Sequence, residues 1–344
     1  MLGLAKVQSG VNGLQVGHYD VRRPGEGEVL LKVLVAGVCG TDMQIYHGQG
    51  AFAKRVQLPT ILGHEMAGVV EEVGANVSRA RVGDIVSLES HIPCGNCPLC
   101  DTGRSHVCPH TRYPGIDING CFAEYVTVPE SILWVNPGDV DIEKAALLEP
   151  LGIAVHATLE GKGVAGKTAV VNGCGPIGLM NVAVAKHFGA DVVVAIDTNE
   201  RRLQAAMEMG ADVAMNPLRQ DVVAEVKTRF GGYGADVVFE YTGSPEGVRN
   251  IFSMVAPLGE VKWCATPSRS MEFDFGVWRP GRPTIYNIHG RRIWETWHST
   301  APLVYENRIN LDPIASHKVP LQNATEAFDL IVAGEAVKPL IMCS

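Results

Sequence analysis

The chain has 344 residues, of which 46% are apolar and 19% charged, and its formal net charge is −8. This composition can build packed cores and excludes disordered and fibrous classes, while the acidic balance argues against nucleic acid or an anionic membrane as main partner. No apolar run approaches the ~18 residues of a membrane span, and the opening MLGLAKVQSGVNG has neither a basic nor an apolar leader, so a cytoplasmic protein is expected.

At ~150 residues per domain the length predicts about two domains. The first third reads as short strands with Gly-rich turns: Glu28–Val38, Ala67–Val73 and Asp84–Leu88, separated by PGEG, VGAN and RVGD. This region is expected to be all-β or barrel-like. Near Glu143–Leu148 the pattern becomes helical, and Glu149-Pro150-Leu151-Gly152 is expected to interrupt it. From Lys167 apolar strands alternate with helices. TAVVNG precedes a helix over Pro176–Phe188, DVVVAID one over Glu200–Met209, ADVAMN one over Asp221–Phe230, and ADVVFEYTG one over Glu246–Met254; GEVKWCA closes the series. Such alternation predicts a parallel sheet with helices on both faces. A further helix-rich stretch follows Ile293, including a helix over Asn323–Gly334.

Nine cysteines are present, an odd number, and four fall within fifteen residues. Without a leader segment this favours metal over disulfides. Cys94, Cys97, Cys100 and Cys108 can close a tetrahedron of thiolates around Zn²⁺; iron–sulfur is the rival reading. Four protein ligands leave no open position, so such an ion is structural. Gly173-Cys174-Gly175-Pro176-Ile177-Gly178 is a G-x-G-x-x-G turn between a strand and a helix, the context that makes it a dinucleotide signature. Gly173 permits the turn, Gly175 lets the backbone approach a pyrophosphate, and Gly178 allows close helix–strand packing. The helix N-terminus attracts the phosphates. Asp197 ends the next strand, where an acid binds the adenosine ribose and favours NAD over NADP; Arg201 and Arg202 could blunt that preference. Dispersed along the chain, Cys39, His64 and Glu149 offer three ligands with a fourth position open, as in a catalytic zinc site. Singly, each is equally a small buried residue, a core histidine or a helix-end charge.

The order CGTD, GHE, C-x2-C-x2-C-x7-C, EPLG and GCGPIG, spread over nearly the whole chain, resembles the zinc-dependent medium-chain dehydrogenase/reductase family. The resemblance implies a GroES-like β-barrel catalytic domain over 1–151 and 293–344, and a Rossmann domain with a doubly wound parallel sheet over 152–292. It implies a catalytic zinc on Cys39, His64 and Glu149, with Glu65 beside it as an outer or exchangeable ligand, and a structural zinc on the four clustered cysteines. Thr41 would hydrogen-bond the substrate oxygen and start a proton relay. Gly173, Gly175, Pro176, Ile177, Gly178, Asp197 and Arg202 would bind NAD, and Arg291 would reach the cofactor or a neighbouring subunit. The implied reaction is NAD-linked oxidation of a small secondary alcohol to a ketone by a homotetramer.

Within the family, HIPCGNCPLC with RSHVC, GIDINGCFAEYVTVP, EPLGIAVH, and TIYNIHGRRIWETWH with NLDPIASHK resemble the branch that oxidises L-threonine to 2-amino-3-ketobutyrate. Oxidation of polyols or vicinal diols, of the sorbitol or butanediol type, is the alternative. One position departs from that branch: its pattern CGTDxHIY has a histidine where this chain has Gln44. Glutamine cannot titrate, so the relay would pass through His47, or through water with Gln44 only hydrogen-bonding a ribose hydroxyl. Two other classes fit less well. A zinc-ribbon nucleic-acid binder would need a basic face, and a catalytically silent NAD-binding regulator would have lost the zinc ligands.

Overall fold

The alternation beginning at Lys167 becomes one sheet in the computed structural model, which describes residues 1–267, 270–272, 274, 276 and 279–344. Among the described residues its strands lie in the order Val213–Met215, Val192–Ile196, Thr168–Asn172, Ala235–Glu240, Val255–Trp263, Thr284–Asn287. Every neighbouring pair is parallel. In chain order this is the 3-2-1-4-5-6 arrangement, whose winding reverses between the first and fourth strands. Reversal opens a crevice beyond their carboxyl ends, at Asn172 and Glu240. The strands are apolar on both faces because helices cover both: Val170, Val194, Val238 and Val261 are all buried. Side chains of Asn199, Asp221 and Ser244 cap the helices Glu200–Glu208, Val222–Arg229 and Pro245–Met254, which fixes where each begins.

The first part of the chain is antiparallel, and Glu28–Gly37 is its hub. One edge of that strand pairs with Glu65–Val73. The other edge pairs with Tyr125–Pro129 along its first half and with Leu340–Met342 along its second. Val29, Leu31 and Val33 point into a core shared with Phe122, Phe328 and Ile341, while Lys32 between them is exposed. A smaller sheet joins Leu14–His18, Leu2–Lys6 and Thr60–Ile61.

Two compact units result. The first holds Met1–Glu149, Arg292–Trp297 and Ala315–Ser344; the second holds Pro150–Arg291 and His298–Ile314. The fold class is the expected one, a β-rich unit and a doubly wound α/β unit. One local expectation fails: EPLG does not interrupt the helix. The break lies at Leu147, which ends Ile142–Ala146, and a second helix runs Leu148–Leu159 through Pro150 and Gly152. Pro150 stands in the first turn, where its missing N–H forfeits no intrahelical bond.

Candidate active site and metal centres

Cys39 precedes the helix Gly40–His47, which follows directly on the hub strand. Its N–H donates to the Asp42 carboxylate at 2.9 Å, closing a capping box that fixes the thiol at the helix start. His64 and Glu65 enter from the neighbouring strand, with Glu65 paired to Gly37. Gly63 before them has φ +93°, and a Cβ there would lie 2.4 Å from the Phe122 ring, so only glycine lets the chain turn into the site. Ligand atoms of Cys39, His64 and Glu65 all lie within 4.8 Å of one another. Glu65, expected beside the ion, lies in this group. Glu149 stands buried in the first turn of Leu148–Leu159, close enough to act electrostatically on His64 and Glu65.

Four buried polar atoms in this pocket have no hydrogen-bond partner: Asp42 Oδ1, His64 Nδ1 and both carboxylate oxygens of Glu65. Leaving each such atom unsatisfied costs about 1–3 kcal/mol. The imidazole is pushed down by burial but raised overall, to about 10, by Cys39 and Asp42 beside it. Protein alone therefore draws positive charge into the pocket, and a sulfur, nitrogen and oxygen donor set suits a divalent zinc ion. Asp42 Oδ1, 3.9 Å from His64 Nδ1, is placed to orient the imidazole once the other ring nitrogen is bound. Lys338, which sequence reasoning missed, forms a fully buried ion pair with Glu65 Oε2 at 2.5 Å, without ordinary hydrogen-bond alignment.

The four clustered cysteines converge. Sγ separations are 3.5 Å for Cys94–Cys108, 3.6 Å for Cys97–Cys100, 3.9 Å for Cys97–Cys108 and 4.0 Å for Cys94–Cys100. A tetrahedron with metal–sulfur bonds of ~2.3 Å has edges of ~3.8 Å, so one ion fits, and a multi-iron cluster would spread the thiolates further apart. Burial raises the Cys108 thiol, but N–H groups of Cys94 and His110 aimed at its sulfur bring it to about 6.

In the second unit the glycine turn lines a cleft of about 630 Å³ with Asn172, Ile196, Asp197, Arg202 and Thr242. Gly173 has φ +101°, and a Cβ on Gly178 would lie 1.9 Å from the Gly173 carbonyl oxygen. A Cβ on Gly175 would meet nothing within 4 Å: the chain leaves that space open at the start of the helix Pro176–His187, as a phosphate cradle requires. Pro176 occupies the first helical turn, and Ile177 is half-buried. Asp197 accepts N–H bonds from Cys174 at 2.8 Å and Asn199 at 2.9 Å, with Arg202 3.8 Å away. Glu240 was not anticipated: it accepts from Asn172, Thr242 and Gly243, bracing the opposite rim. Arg291 is almost fully buried. Thr41 is half-buried and Gln44 exposed, three residues apart on one helix face. His47 lies about 120° around the helix from Thr41 and packs edge-on to Tyr46.

Comparison with known proteins identifies the family. Residues 25–138 match the alcohol dehydrogenase GroES-like domain, and residues 176–306 match the zinc-binding dehydrogenase domain. L-threonine 3-dehydrogenase of Pyrococcus horikoshii is 40% identical over 344 residues, covering 99% of this chain and 98% of the relative. The chain belongs to the zinc-dependent medium-chain dehydrogenase family. The L-threonine 3-dehydrogenase of Bacillus subtilis is 43% identical over 337 residues, covering 97% and 96%. Among solved structures of this dehydrogenase family, 2R,3R-butanediol dehydrogenase from Bacillus subtilis superposes with a TM-score of 0.90 at 28% identity, covering 100% of this chain and 99% of that one. Among the described residues, no helix is long and apolar enough to cross a membrane.

Proposed function

We propose that this dehydrogenase oxidises the 3-hydroxyl of L-threonine to the ketone 2-amino-3-ketobutyrate, with NAD as hydride acceptor. The observation that carries the reaction type is the buried convergence of Cys39, His64 and Glu65, with polar atoms left for a cation. The substrate follows the curated relatives, which are threonine dehydrogenases at about 40% identity over the whole chain, whereas the butanediol enzyme is 28% identical.

When bound, zinc would supply Lewis acidity to the hydroxyl and NAD would be the hydride acceptor. Cys39, His64 and Glu149 would hold the ion, with Glu65 beside it as an exchangeable ligand, and Asp42 would orient His64. Thr41 accepts the hydroxyl proton's hydrogen bond and hands the proton outward. Gln44 follows on the same face as a hydrogen-bonding group that cannot titrate, and His47 faces elsewhere, so water completes the path. The amides opening Pro176–His187 take the pyrophosphate, and Asp197 takes the ribose hydroxyls, which favours NAD over NADP. Cys94, Cys97, Cys100 and Cys108 hold a second zinc of structural role. Nine free cysteines suit the reducing cytoplasm, and a homotetramer is the proposed assembly.

NADH formation with L-threonine, 2,3-butanediol and sorbitol tests the substrate. Threonine should give the highest kcat/KM; turnover confined to a polyol or diol would replace threonine and keep the chemistry.

A further inference from the structure

We infer that Glu240 is a positioning residue for the cofactor: its carboxylate ties the two rims of the crevice together and sets the glycine turn before a dinucleotide arrives. This rests on the reading of that turn as the NAD cradle.

Glu240 ends the strand Ala235–Glu240, fully buried, at the point where the winding of the sheet reverses. Its carboxylate meets four donors. From one rim, Asn172 Nδ2 donates to Oε2 at 2.6 Å. From the other, the Thr242 N–H, the Thr242 hydroxyl and the Gly243 N–H donate to Oε1 at 2.8, 2.5 and 2.9 Å. Asn172 immediately precedes Gly173, and a Cβ on Gly173 would lie 2.9 Å from the Thr242 nitrogen. The first glycine of the turn therefore rests on the Thr242 backbone that Glu240 holds. Asn172, Gly173, Gly175 and Thr242 all line the cleft, so the carboxylate braces its wall from behind.

Hydrogen-bond chemistry demands a carboxylate here. Three of the four partners, Asn172 Nδ2 and the two backbone N–H groups, can only donate, and an ionised carboxylate only accepts. A glutamine has the same shape, but its NH2 would face either the Asn172 NH2 or the N–H groups of Thr242 and Gly243. Turning the Asn172 amide over gives no way out. Its oxygen would then stand where Nδ2 now donates to the Gly247 carbonyl at 3.2 Å. Buried donors set against donors are costly and move apart, so the rims would part at the turn that must hold a pyrophosphate. A carboxylate that served folding alone would instead leave the affinity of the folded chain unchanged.

The test titrates Glu240→Gln with NADH, read by fluorescence, and with ADP-ribose, read by calorimetry, beside thermal unfolding of the same samples. Both ligands carry the pyrophosphate, so both should bind about tenfold more weakly, within the coupling range of groups in one hydrogen-bond network. In turnover, KM for NAD should rise by a similar factor, while KM for L-threonine at saturating NAD stays near that of the wild type. Asn172→Ala should also weaken both ligands, and Glu240→Gln added to it should cost little more, because the opposing donor is gone. Wild-type affinity in folded Glu240→Gln, or full and additive losses in the double variant, overturns the proposal. Should Glu240→Gln fail to fold, Asn172→Ala alone cuts the tie between the rims, and unchanged affinity there overturns it equally. If the wild-type enzyme binds neither NADH nor ADP-ribose, the cradle reading itself fails; normal binding without a Glu240 effect sinks only this proposal.

Discussion

Glu65 and Glu149 differ by position rather than chemistry. Glu65 adjoins His64 at the start of a strand, and Glu149 lies in the first turn of a helix. With Glu149 as the proposed third ligand, Glu149→Ala should lose activity and the catalytic zinc while keeping the fold. Atomic absorption on the purified variant checks this, and full zinc content with full activity would refute its role as ligand. The sequence made the cysteine cluster and the glycine turn legible because their spacing is local. It did not show Lys338, whose buried ion pair with Glu65 joins residues far apart in the chain. Gln44 is the opposite case: a single residue, unable to titrate, marks where a proposed relay would depart from its relatives.

At the scale of elements, the strand Thr168–Asn172 and the helix Pro176–His187 meet through glycines with different duties. Gly178 is demanded by packing, since a Cβ would overlap the Gly173 carbonyl; Gly175 faces open space. Gly178→Ala should lower stability by about 1–3 kcal/mol, as overpacked sites do, and weaken NAD binding. Gly175→Ala should weaken NAD binding with the melting temperature nearly unchanged. Thermal unfolding and NADH fluorescence titration separate the two, and equal destabilisation would contradict the packing argument. The alternating strands and helices of the second unit were readable because each carries its own period and cap. The strands Thr284–Asn287, Lys318–Pro320 and Leu340–Met342 were not. Each has only three or four residues and is defined by its partner rather than its pattern. EPLG misled for a related reason: proline disrupts a helix interior but is at home in a first turn.

For the whole molecule, the loop carrying Cys94 to Cys108 is built so that a bound ion would hold it together. Four sulfurs at these separations repel as thiolates unless a cation neutralises them, and the surrounding helices, Pro98–Asp101 and Ser105–Val107, are too short to stand alone. Cys97→Ser should lower the melting temperature and make this loop the first site of limited proteolysis, with the Cys39 site still metal-loaded. Peptide mapping reads this directly, and a protease-resistant loop would show that the ion is dispensable. Fold class was legible at this scale because composition, alternation and two local signatures agreed.

The hub strand has a consequence in time. Its second half waits for Leu340–Met342, and Glu65 waits for Lys338. A nascent chain can form the four-cysteine loop once residue 108 has emerged, from purely local contacts. The pocket of Cys39, His64 and Glu65 cannot be finished until Lys338 has arrived, 338 − 108 = 230 residues later. Long-range pairing of this kind forms late, after loop closure has been overcome. The two groups of candidate ligands are therefore assembled in a fixed order, and a truncated translation product would carry the cysteine cluster without the finished pocket.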